Sequence, residues 1–152
     1  MTVKEVMNTA VATCAPNSGL GSVIDIMREY DCGFLPVVDS HGIVVGVVTD
    51  RDVCLAAGTK HRPLARVSVQ ETMSHPVFSC FADENVKTVL TTMGNHHVRR
   101  LPVLDKEHGH LVGVLSLDDV VQAPRRRGTP TGDDIADAFK RITSPHLIEA
   151  AV

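Results

Sequence analysis

Gly46-Val47-Val48-Thr49-Asp50-Arg51-Asp52 and Gly113-Val114-Leu115-Ser116-Leu117-Asp118-Asp119 carry one pattern twice: an apolar run, a hydroxyl, and a carboxylate three residues beyond it. A β-branched run ending in Ser/Thr-x-x-Asp predicts a strand that turns directly into a helix, because hydroxyl and acid satisfy amide donors that the first helical turn leaves unpaired. Outward from these corners the duplication spreads over most of the chain. Val3, Glu5, Met7, Val11, Cys14, Val23 and Met27 recur 66 positions later (3 to 69) as Val69, Glu71, Met73, Val77, Cys80, Val89 and Met93. Leu35-Pro36-Val37 with Asp39 returns as Leu101-Pro102-Val103 with Asp105. From Gly42 onward the offset is 67 (42 to 109), so one residue is inserted in Asp105-Lys106-Glu107-His108-Gly109, a polar Gly-ended turn where insertion is tolerated.

The apolar period changes in the same order within each copy. Leu20, Val23, Ile24 and Met27, and again Val86, Val89, Leu90 and Met93, stand at i, i+3, i+4 and i+7, predicting amphipathic helices over about 18–30 and 84–96. Phe34 to Val38 with Ile43 to Val48, and Leu101 to Leu104 with Leu111 to Leu115, read as hairpins; short strands are expected near Val11 and Val77, and closing helices over Asp50 to Ala56 and Leu117 to Gln122. The expected fold class is therefore α/β (α+β): two β-α-β-β-α repeats related by a pseudo-twofold, over 1–56 and 67–122, joined by a 57–66 linker and followed by a 123–152 loop and helical tail. In the tail, Thr131 and Asp134 have capping-box spacing, Ile135, Phe139 and Ile142 are expected on one docked face, and Lys140 and Arg141 suit the carboxyl end of the helix dipole.

Composition removes several function classes. A chain of 152 residues, 43% apolar and 22% charged, fits one globular domain, and no apolar run approaches a membrane span. The first residues lack a secretory signal pattern, so the expected location is the cytoplasm. A net charge of −3 and four Phe, one Tyr and no Trp leave little for a nucleic-acid surface; Arg125-Arg126-Arg127 reads as a solvated loop. Cys14, Cys32, Cys54 and Cys80 lie apart and read as idle or buried thiols. His96-His97 and His108-x-His110 lack further ligands at zinc spacing, so no metal is expected. No nucleophile-base pair, nucleophile elbow, P-loop or Gly-x-Gly-x-x-Gly is present, and no catalysis is expected.

The hydroxyl-acid corners admit two readings. Each is a capping box, and each is also a place where amide donors and a helix dipole meet an anion while the carboxylate accepts ribose hydroxyl protons. The repeated β-α-β-β-α unit, Leu-Pro-Val-x-Asp, and Gly-x-x-Thr/Ser-x-x-Asp together resemble a tandem pair of cystathionine-β-synthase (CBS) domains over about 1–122. That resemblance implies binding of an adenosine-containing ligand between the repeats: AMP first, with ADP, ATP, NADH or S-adenosylmethionine as alternatives. It further implies that Asp52 and Asp119 hold ribose, that Thr49 and Ser116 lie near phosphate, and that Thr9 to Val11 and His75 to Val77 line the adenine with the chain before Pro36 and Pro102. Relatives pair into discs of four repeats, which implies a homodimer, and with no enzyme domain attached the readout falls to an unidentified protein partner or to the tail.

Charge is unequal between the copies. Gly33-Phe34 aligns with Arg99-Arg100, and Arg51 with Asp118. Guanidinium groups pair bidentately with phosphate, so one dominant site is expected at Arg99, Arg100, Ser116 and Asp119, with His97 as a further donor, and a weaker or differently selective one at Thr49, Arg51 and Asp52. The alternative function is a structural dimerisation module whose clefts are empty and whose corners serve only as caps.

Overall fold

The apolar stripes form the helices they predict. In the computed structural model, which describes residues 1–145, α1 spans Leu20–Glu29 and buries Leu20 and Val23, and α3 spans Val86–His96 and buries Val86, Val89, Leu90 and Met93. Each stripe lies against a short antiparallel hairpin, β1 (Phe34–Val38) with β2 (Val44–Thr49) and β4 (Arg100–Leu104) with β5 (Leu111–Ser116). Both hairpins reverse through an aspartate that organises its own turn. Asp39 Oδ1 accepts from the amides of His41 and Ile43 at 2.8 and 3.0 Å, and Asp105 takes those of His108 and His110 at 2.7 and 2.8 Å. Backbone N–H groups thereby hold both carboxyls below the usual range. The closing helices follow directly, α2 over Asp50–Thr59 and α4 over Leu117–Gln122; α2 runs three residues further than its apolar pattern suggests, into the stretch expected as linker.

The pairing expected near Val11 and Val77 falls three residues further on, as a single bridge in the first repeat and a two-residue strand in the second. Cys14 bridges Val37, and β3 (Cys80–Phe81) lies parallel to β4. Before those points the chain is committed to the opposite repeat. Val3 is fully buried in the core of the second repeat with Val86, Leu101 and Leu115, while Val67 and Val69 are fully buried in the core of the first with Leu20, Leu35 and Val48. The backbone confirms the exchange through images of one another: Thr2 pairs with Asn85 and Gly19 with Ser68, and Asn8 pairs with Val114 and Ser74 with Val47. Each leading segment thus starts on one repeat and crosses to the other. Gly46 and Gly113 lie where the crossing segments pass closest: a Cβ there would stand 2.5 Å from Met73 Sδ and 2.8 Å from Met7 Sδ. Ile43 and His110, equivalent positions, pair across the axis relating the two halves.

The tail breaks the symmetry. Helix α5 (Gly132–Thr143) packs on α3, burying Ala138 and Ile142 with Ile135 beside them, and Lys87 Nζ lies 2.8 Å from Asp134 Oδ2. Phe139, expected on the docked face, is instead half exposed: it follows Ala138 by one position, about 100° further around the helix, and so falls off the stripe of Ile135, Ala138 and Ile142. The end of the 123–152 tail, residues 146–152, lies outside the described residues. Among the described residues no helix is long and apolar enough to cross a membrane. Burial pushes the Cys14 thiol up to about 11 and that of Cys80 to about 12, as suits thiols that fill core volume.

Candidate ligand-binding clefts

Because the leading segments cross over, each cleft is built from both repeats. The first, about 170 Å³, faces Ser116 and Asp119 of the second repeat across to Asn8, Ala10, Val11 and Ala12 and to the α1–β1 corner (Tyr30, Cys32, Phe34) of the first. The second, about 470 Å³, faces Val47, Thr49, Asp50 and Arg51 of the first repeat across to Ser74, His75, Pro76 and Phe78 and to the α3–β4 corner (His97 to Pro102) of the second. The larger lies within the range of small-molecule sites. Phe34 and Arg100, equivalent positions, line both clefts and form their shared wall.

The hydroxyl-acid corners are closed capping boxes. Asp119 Oδ2 accepts from Ser116 N–H at 2.7 Å and from Ser116 Oγ–H at 2.6 Å, and Ser116 Oγ takes Asp119 N–H at 3.0 Å. Thr49 and Asp52 repeat this at 2.8, 2.7 and 3.3 Å. The same box caps α5 at Thr131 and Asp134, away from either cleft, so the box by itself is a helix end. The geometry also limits the chemistry. Each hydroxyl proton is already given to a carboxylate, so neither Thr49 nor Ser116 can donate to a phosphate while its cap stands. What a ligand can use is the second carboxylate oxygen as acceptor for sugar hydroxyls, and guanidinium groups as donors to an anion.

Those guanidinium groups do not stand where the sequence pairs them. Arg99 lies in the Thr49 cleft, with Arg51, His75 and His97, and not beside Ser116 and Asp119; only Arg100 reaches both clefts. The expected group of Arg99, Arg100, Ser116 and Asp119 is therefore divided. The α3–β4 corner of the second repeat faces the acid corner of the first, so a residue's own repeat is not the one it serves. Arg100 is also partly spent, its guanidinium 3.8 Å from Asp118. Cation density concentrates in the larger cleft, opposite to the expected ranking.

The adenine-side residues divide by backbone alternation. Along residues 8–13, Asn8, Ala10 and Ala12 face the Ser116 cleft, whereas Thr9 and Thr13 face a separate groove beside Gly42 and His110; Val11 touches both. His75 lines the Thr49 cleft, while Val77 is half-buried and lines neither cleft. Asp52 also stays off the lining of its own cleft, in contrast to Asp119. Tyr30, Phe78 and Asp50 are lining residues that sequence reasoning missed. Phe34 belongs to the chain before Pro36 expected beside the adenine, and its alignment with Arg100 marks a repeated position at the axis. Among the described residues no group of three or more His, Cys, Asp or Glu side chains is gathered as a metal site would need.

The CBS domain profile matches residues 3–58 and 68–126, covering both repeats. The chain belongs to the CBS domain family. It is 33% identical over 118 residues to the CBS domain-containing protein YhcV of Bacillus subtilis, spanning 78% of this chain and 81% of that one. It is 30% identical over 124 residues to hypoxic response protein 1 of Mycobacterium tuberculosis, spanning 80% and 83%. A CBS domain pair crystallised with 5′-methylthioadenosine and S-adenosyl-L-methionine has the same fold, with a TM-score of 0.72 and 24% identity over 80% of this chain and 94% of that one.

Proposed function

We propose that this CBS pair is a regulatory module that binds an adenosine-containing ligand of the AMP, ADP or ATP class between its repeats and passes the change to a protein partner. One observation carries the reading: each of these two clefts takes the turn into a closing helix from one repeat and its opposing wall from the other. A ligand held there bridges the two halves, so its differential affinity acts directly on how they sit together. The fold shared with a pair that holds 5′-methylthioadenosine and S-adenosyl-L-methionine supports the ligand class. The Thr49 cleft, with Arg51, Arg99 and Arg100, suits an anionic end; in it Thr49 positions the turn and Asp52 anchors it, while Asp119 offers an oxygen to ribose in the Ser116 cleft. The module works in the cytoplasm as a homodimer, without catalysis, metal, membrane or nucleic acid.

Melting scans with AMP, ADP, ATP, NADH and S-adenosylmethionine test this. A ligand at 100 times its dissociation constant adds about 2.7 kcal/mol. No shift with any of them would remove the sensor reading. It would leave a structural dimerisation module, which the closed capping boxes at Thr49–Asp52 and Ser116–Asp119 favour. Light scattering reads the dimer.

A further inference from the structure

The pseudo-twofold lets one half of the molecule show what the other half is shaped to accept. Helix α3 ends at His96, and the Phe78 ring stacks on the His96 ring with centroids 3.8 Å apart and planes 16° from parallel. The equivalent of His96 is Tyr30 and the equivalent of Phe78 is Ala12, both at the 66-residue offset (30 to 96, 12 to 78). The two helix ends share one geometry. Asp31 and His97 follow with φ of 48° and 53°, and Cys32 and Val98 return amide bonds to Met27 and Met93 at 2.9 and 3.1 Å. In the first half, then, the ring platform is present and its stacking partner is reduced to a methyl group. Tyr30 is 60% exposed and lines the Ser116 cleft together with Ala12 and Phe34.

We infer that the Ser116 cleft takes the nucleobase of its ligand stacked on Tyr30, in the slot that Phe78 fills on His96 in the other half, with Asp119 reaching the sugar. The Thr49 cleft has this slot occupied by its own side chain and holds its ligand by charge. This deepens the nucleotide reading and rests on it. A planar heteroaromatic base fits the slot because base–aromatic stacking is favourable and tolerant of base identity.

Tyr30 is the one tyrosine of a chain without tryptophan, so its emission reports on this cleft alone. The experiment titrates AMP and adenosine into the full chain, following tyrosine emission corrected for ligand absorbance, and repeats the titrations by calorimetry. Emission is expected to fall with the calorimetric isotherm. Tyr30→Phe should keep affinity within about threefold, Tyr30→Ala should lose roughly 5- to 100-fold, and Ala12→Phe, which restores the ring that Phe78 supplies in the other half, should close the slot and weaken adenosine at least tenfold. Heat on AMP addition with unmoved tyrosine emission, or unchanged affinity in Tyr30→Ala and Ala12→Phe, overturns the stacking while leaving nucleotide binding in place. Absence of heat with either compound overturns both.

Discussion

Val3 reports whether the leading segments are exchanged. It belongs to the first repeat in sequence but is fully buried with Leu101 and Leu115 of the second. Val3→Ala removes two buried carbons, about 1.6 kcal/mol of transfer free energy at roughly 0.8 kcal/mol each. The cavity left behind raises the total to about 2–3 kcal/mol, since the surrounding side chains relax only partly. The loss should be local to the second repeat. Residue-resolved hydrogen exchange under strongly native conditions is expected to accelerate in α3, β4 and β5, by roughly 30-fold for 2 kcal/mol, while β1 and β2 hold their protection. Val69→Ala, its image, should do the reverse. Acceleration of β1 and β2 in Val3→Ala, with β4 and β5 unchanged, would mean each leading segment folds onto its own repeat, and the two-repeat construction of the clefts would go with it.

Arg99→Ala should weaken an anionic adenosine ligand such as ADP by roughly 10- to 100-fold, as expected for a charge-assisted bond, and calorimetric double-mutant cycles should couple it to Arg51→Ala and leave it additive with Asp119→Asn. Coupling to Asp119 would restore the pairing read from sequence. Asp134 is held down to about 2, first by Lys87 and then by the Thr131 cap. A carboxyl depressed in the folded state stabilises fully above its ordinary value near 4 and loses that contribution as pH falls towards 2. Helix α5 should therefore loosen on α3 between about pH 4 and pH 2, read by NMR at Ala138 and Ile142, and the transition should flatten in Lys87→Met; an unchanged profile would break the link. Cys14 and Cys80, buried and with raised pKa, should resist iodoacetamide at neutral pH while exposed Cys54 reacts first by mass spectrometry; early labelling of Cys80 would contradict the packing.

What the sequence determined by itself was local and repeated. Period 3.6 in Leu20 to Met27 and Val86 to Met93, paired apolar runs, and Ser/Thr-x-x-Asp corners are statements about neighbours within a few residues, and helices, hairpins and caps follow from such neighbours. The duplication was equally legible, because equal offsets need no structure to be seen. What only the tertiary structure decided was which copy each piece serves. Val3 and Val69 are the same residue at the repeat offset, so their spacing does not say which core buries which; the structure seats each in the opposite repeat, with Met73 and Met7 passing close over Gly46 and Gly113. Once the segments cross, Arg99 faces Thr49 and Thr9 turns away from Asn8, results that no spacing along the chain encodes. Phe139 left its expected face for a related reason: a stripe on a helix is narrow, and a single α3 surface, known only after docking, selected Ala138 over it.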